Sequence, residues 1–136
     1  MITGLSHLTI IVSNLERTAK LLSEGLGALE VYDSQGKNFS ISDEKFFLLG
    51  NIWLVAMRGE ITQRSYRHIA FQVASVDMPK IEKKLRKLGA EIAFSRPRAR
   101  EEGKSLYFYD YDNNLFELHS GTLEQRLPYY QQHNSA

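Results

Sequence analysis

The chain contains one pattern twice. The first copy reads Gly-Leu-Ser-His-Leu-Thr-Ile-Ile-Val from Gly4 to Val12, and the second reads Ser-Tyr-Arg-His-Ile-Ala-Phe-Gln-Val from Ser65 to Val73. Each leads into a helical run that closes on Leu-Gly-Ala, at Leu26–Ala28 and at Leu88–Ala90. A repeat of this length implies two supersecondary units, each too small to bury its own apolar face, so the copies must pack. It also places one histidine, His7 or His68, at the same point of each copy.

Strands and helices alternate within each copy. Leu5 to Val12 is a nearly continuous apolar strand that puts His7 and Thr9 on one face. Ser13-Asn14-Leu15-Glu16 has the form of a capping box, and Leu15, Ala19, Leu22 and Leu26 mark the helical face that follows. Strands are expected at Leu29–Tyr32, Phe39–Ser42, Phe46–Leu49 and Ile52–Met57. In the second copy they are expected at Ile69–Val73, Glu91–Phe94, Ser105–Tyr109 and Leu115–Leu118. Met78, Ile81, Leu85 and Leu88 carry the apolar face of the second helix, and its lysines form a solvated side. After Thr122 the pattern predicts a helical turn, with Gln131 to Ala136 frayed.

The expected fold is therefore α+β: two paired βαβββ modules, about 4–58 and 65–120, with a tail at 121–136. Their strands form a curved mixed sheet around a metal site, within a single domain of 136 residues. The chain has no cysteine, which excludes disulfides, thiolate metal sites and cysteine nucleophiles and fits a cytoplasmic protein. A net charge of +1 gives no drive toward nucleic acid, and no apolar run is long enough to span a membrane.

Glu117 interrupts the apolar run Leu115-Phe116-Glu117-Leu118, and a carboxylate facing an interior must be paired or bound to metal. With His7 and His68 it makes a two-imidazole, one-carboxylate set that suits a divalent ion with positions left open for water or substrate. These ligands alone admit Mn, Fe, Zn, Ni or Co. His119 shares strand parity with Glu117 and competes as a ligand. Tyr66, Ser105, Tyr107, Arg96, Arg98 and Arg126 lie near these residues in sequence. They could hold a phosphonate, phosphate or carboxylate, because guanidinium groups bind oxyanions bidentately. Glu44 leaves two readings open: a surface-turn glutamate paired with Lys45, or a general base aimed at water.

Five segments, Gly4–Thr9, Glu44–Leu48, Arg64–Phe71, Ser105–Asp110 and Leu115–Leu127, resemble in order and spacing the fosfomycin-resistance proteins of the vicinal-oxygen-chelate superfamily, and most of all the hydrolytic FosX type. The resemblance implies that His7, His68 and Glu117 hold Mn(II). It implies that Thr9, Tyr66, Ser105, Tyr107 and Arg126 surround the phosphonate and epoxide of fosfomycin, with Arg98 or Arg96 as a further cation. Glu44 would activate water to give an inactive diol. A homodimer is also implied, each site drawing His7 from one chain and His68 and Glu117 from the other. Two of the four signature positions of the potassium loop of glutathione-using relatives are replaced, by Ala99 and Glu101, and Thr9 stands where the bacillithiol-using type has cysteine. The alternatives are a thiol transferase acting on fosfomycin, a superfamily enzyme with another small anionic substrate, and a non-catalytic anion-binding protein.

Overall fold

A computed structural model of the chain describes residues 1–37 and 39–133. Its elements are β1 (Leu8–Val12), α1 (Leu15–Lys20), β2 (Leu29–Asp33), β3 (Glu44–Leu49), β4 (Ile52–Arg58), β5 (His68–Gln72), α2 (Met78–Lys87), β6 (Glu91–Ala93), β7 (Ser105–Tyr109), β8 (Leu115–His119) and α3 (Leu123–Gln132). The architecture is α+β, with two four-stranded mixed sheets ordered β1-β4-β3-β2 and β5-β8-β7-β6. In each, the first and last strands of the repeat pair in parallel and the other pairs are antiparallel.

The chain divides into two compact units. The first is Met1–Arg64 with Asp110–Asn114; the second is Ser65–Tyr109 with the chain from Leu115. The turn at 110–114 groups with the first unit because its side chains reach there. Asn114 Nδ2 donates to the Ile11 carbonyl at 3.0 Å, Asn113 Nδ2 to the Thr62 carbonyl at 3.0 Å, and Ser13 Oγ to Asp112 at 2.6 Å.

The repeated Leu-Gly-Ala has a backbone cause. Gly27 and Gly89 sit in the left-handed region, at φ 74° and 84°, where a residue without Cβ terminates a helix at no steric cost. The alanine that follows is buried in each unit, and its amide bonds back to the carbonyl of Leu22 or Leu85. One face of each sheet is apolar: Val12, Phe47, Leu54 and Ala56 in the first unit, Phe71, Phe108, Phe116 and Leu118 in the second. Fully burying one such aromatic or aliphatic side chain stabilises by about 1.5–3 kcal/mol.

The other face carries the chemistry, and the repeat holds there position by position. Thr9 pairs with Val55 as Ala70 pairs with Glu117. Phe46 faces Val55 as Tyr107 faces Glu117, and Glu44 faces Met57 as Ser105 faces His119.

Four expectations are corrected. Phe39–Ser42 is a bend rather than a strand, with Phe39 and Ile41 exposed. Phe94 falls outside β6 and is exposed. The first helix is capped one residue later than expected: Asn14 accepts the Arg17 amide, while the Ser13 hydroxyl is taken by Asp112. The tail forms a ten-residue helix that includes Gln131 and Gln132, started by a reciprocal box between Thr122 and Gln125. Residues 134–136 of the tail lie outside the described residues.

Candidate active site

In the second unit, β5, β7 and β8 bring most of the expected residues onto one face. His68 Nε2 lies 3.1 Å from Glu117 Oε1. His68 Nδ1 lies 2.7 Å from the Tyr66 carbonyl, which can only accept, so Nδ1 carries the proton. Nε2 is thereby left facing the carboxylate oxygen, and a carbonyl-oriented imidazole beside a carboxylate is the usual way a protein prepares ligands for a divalent ion. The donor set fits such an ion.

Glu117 is 5% exposed. Burial pushes its carboxyl up, but hydrogen bonds from Ser105 and Tyr107 and the charge of Arg98 outweigh this and hold it below the usual carboxylate range. Ser105 Oγ donates to Glu117 Oε2 at 2.6 Å. Arg98 Nη2 reaches Tyr107 Oη at 2.9 Å and Glu117 Oε2 at 3.5 Å. Tyr66 and Tyr107 join hydroxyls at 2.9 Å. The Tyr107 phenol is raised by burial first, then by the Tyr66 bond and the Glu117 charge, so it stays protonated.

Arg98, and not Arg96, reaches this cluster. Its side chain is 8% exposed, and Nε and Nη1 are buried without a hydrogen-bond partner. Arg96 turns instead to Glu102 at 2.7 Å and to the Tyr130 hydroxyl at 3.3 Å. Arg126, in the first turn of α3, donates to His119 Nε2 at 3.0 Å. The competing ligand His119 therefore has both ring nitrogens engaged, Nδ1 lying 2.7 Å from Ser105 Oγ. Burial, with the opposing pull of Glu117 and the push of Arg126, holds its pKa below the ordinary imidazole value.

In the first unit His7 lies against Trp53, the rings tilted by 35° with centroids 4.3 Å apart, and its Nδ1 meets Ser6 Oγ at 2.9 Å. Trp53 continues to Phe46 and Tyr32 across the sheet. Strand parity puts Thr9, Trp53, Phe46 and Glu44 on one face. Glu44 is not a surface residue: it is 8% exposed, and its amide accepts no slack, donating to Ser34 Oγ at 3.1 Å. Nor does it pair with Lys45, which points to the opposite face. Among the described residues no group of three or more histidine, cysteine, aspartate or glutamate side chains assembles to hold a metal. The second unit brings two expected ligands together, and His7 belongs to the first.

Two charged residues at this level escaped the sequence reading. Glu102 is buried and organises the 96–104 loop. It accepts from Arg96, from Tyr130 at 2.5 Å and from the Ala99 amide at 2.9 Å, and these bonds pull its pKa down to about 2. Its signal was a lone acid pair in a basic loop. Lys45 is buried among Asp33, Glu30 and Glu16 at 2.9, 3.1 and 3.6 Å. Its signal was a cation sharing strand parity with Phe47.

No family model matches the chain. It is 50% identical over 131 residues to the fosfomycin resistance protein FosX of Listeria innocua, covering 96% of this chain and 98% of that one. It is 35% identical over 138 residues to the metallothiol transferase FosB of Staphylococcus haemolyticus, covering 97% and 94%. A variant of FosX from Listeria monocytogenes, solved with Mn(II) and 1S,2S-dihydroxypropylphosphonic acid, superposes with a TM-score of 0.86 at 49% identity, over 94% of this chain and 99% of that one. A glyoxylase/bleomycin resistance protein/dioxygenase domain from Frankia shares the fold at 23% identity and a TM-score of 0.75, over 90% and 95%.

Proposed function

The chain belongs to the FosX family of fosfomycin-resistance proteins, and from that footing we propose that it hydrolyses the epoxide of fosfomycin to an inactive diol with a divalent metal, Mn(II). The observation that carries this reading is the His68–Glu117 pair with Arg98 beside it and Arg126 on the neighbouring His119: a metal-ready donor set with oxyanion-binding cations close by. The diol phosphonate held by the Listeria monocytogenes relative is the compound that water addition to the epoxide leaves.

His7, His68 and Glu117 are assigned as ligands. Bound to them, the ion supplies Lewis acidity that polarises the epoxide C–O bond. Arg98 and Arg126 hold the phosphonate, and Thr9, Tyr66, Ser105 and Tyr107 orient it. Glu44 accepts a proton from water as the water oxygen attacks a ring carbon. The ring C–O bond breaks, and its oxygen takes up a proton to complete the diol. By the family resemblance, the working form is a homodimer, and the lack of cysteine fits the cytoplasm. Each site draws His7 from one chain and His68 and Glu117 from the other.

Fosfomycin incubated with the protein and Mn(II), followed by ³¹P NMR with and without a thiol, tests the reading. Diol formed without thiol supports it. Product formed only when glutathione, cysteine or bacillithiol is present would replace it with a thiol transferase.

A further inference from the structure

Four side chains of the second unit form a hydrogen-bonded run whose direction is fixed by chemistry. A guanidinium has no acceptor, so Arg126 Nη2 can only donate to His119 Nε2, 3.0 Å away. Nε2 is therefore unprotonated, and the neutral ring carries its proton on Nδ1. From there it donates to Ser105 Oγ at 2.7 Å, the shorter of its two contacts, with Glu117 Oε2 itself 3.2 Å away. Ser105 has one proton to give, and it goes to Glu117 Oε2 at 2.6 Å. Glu117 Oε1 is left facing His68.

The seat of the imidazole is built for it. A Cβ on Gly121 would stand 2.8 Å from His119 Nε2 and 2.4 Å from the Glu102 carbonyl oxygen, so only glycine lets the chain pass there. The ring is 15% exposed, and β7 holds Ser105 directly opposite it.

We propose that His119 is a positioning residue that sets two functional groups at once: the Arg126 fork through Nε2, and the Glu117 carboxylate through Nδ1 and Ser105. What Arg126 and Glu117 do rests on the hydrolase reading; the hydrogen-bonded run does not. One imbalance follows. Loss of the Nε2 contact should harm anion binding, while loss of the Nδ1 contact should harm metal binding.

Two substitutions separate the arms. Asparagine places its amide near the Nδ1 position and leaves Arg126 without an acceptor. Glutamine carries its amide out toward the Nε2 position and leaves Ser105 without its donor. For His119→Asn the KM for fosfomycin should rise while the Mn(II) Kd, read by EPR, stays near the wild-type value. For His119→Gln the Mn(II) Kd should weaken by about 10–100-fold, the usual cost of losing a partner behind a metal ligand, with the smaller change in KM. ¹⁵N NMR of histidine-labelled, metal-free protein reads the run without any substitution: His119 should show a protonated Nδ1 and an unprotonated Nε2. A proton on Nε2, equal effects of the two variants on both constants, or no effect from either would overturn the proposal. If the wild-type protein fails to hydrolyse fosfomycin, the functional reading falls. The EPR and ¹⁵N results still decide the role of His119.

Discussion

Replacing Glu44 by glutamine isolates the proton acceptor from everything else the residue does. Glu44 opens β3, and its backbone is pinned on both sides: its amide donates to Ser34 Oγ at 3.1 Å and its carbonyl accepts the Ser34 amide at 3.0 Å. Glutamine has the same length and shape, so the strand end should not move. The site is 8% exposed, and glutamine keeps the side-chain volume, so the change opens no cavity. What is lost is a base held in place. Positioned general bases contribute roughly 10²–10⁴-fold, or about 2.7–5.4 kcal/mol of barrier at 1.36 kcal/mol per tenfold. Hydrolysis followed by ³¹P NMR should therefore fall by that range in kcat, while Mn(II) affinity by EPR and the melting temperature stay close to wild type. With the wild-type protein in ¹⁸O water, the diol should carry one labelled oxygen. A Glu44→Gln variant with wild-type kcat would remove Glu44 as the base, and a product without label would remove water attack.

Metal and protein stability should be linked: Mn(II) at 100 times its Kd raises unfolding free energy by about 2.7 kcal/mol, and His68→Ala should abolish that rise in a thermal melt. Arg126→Lys keeps the charge but loses the planar fork, so the KM for fosfomycin should increase; unchanged kinetics would take Arg126 out of the site. Glu102 has a folded pKa lowered from 4.5 to about 2, so it contributes stability that is present above pH 4.5 and lost as pH falls toward 2. Glu102→Gln should flatten that acid limb in a denaturation series. Lys45→Met strands Asp33 and Glu30, but these are 30% and 36% exposed and can rehydrate, so the loss should be about 1–3 kcal/mol, below the 3–5 of a fully buried broken pair; urea titration measures it.

The periodicity of the sequence carried most of the fold, because a strand that buries one face must alternate and a helix that ends on Leu-Gly-Ala must find a left-handed glycine. His68, Glu117, Ser105 and Tyr107 were legible for the same reason: same-parity residues on paired strands share a face. What parity cannot supply is which partner a long side chain chooses. Arg96 and Arg98 are also of one parity, yet they end on Glu102 and on Tyr107, because the loop between them and β7 is irregular. Lys45 looked like the natural partner of Glu44 in the sequence. On a strand, neighbours point apart, and the lysine found β2 and α1 instead. The Ser13 hydroxyl was lost to capping because a residue 99 positions away outcompeted the local amide. Phe39–Ser42 has strand composition but no partner to pair with among the described residues.

The position-by-position repeat of the two sheets has a consequence for how resistance can diversify. Glu117, Tyr107, Ser105 and His119 have as counterparts Val55, Phe46, Glu44 and Met57. Three of those four are apolar, so on β3 and β4 the first half lacks the polar set that β7 and β8 carry, and on the proposed roles it gives the ion and phosphonate only His7 and Thr9. On the proposed roles, the choice of attacking group is inherited separately from the capacity to seize the drug. On those roles, a change at Glu44 on β3 alters the attacking group while His68, Glu117, Arg98 and Arg126 in the second half stay as they are.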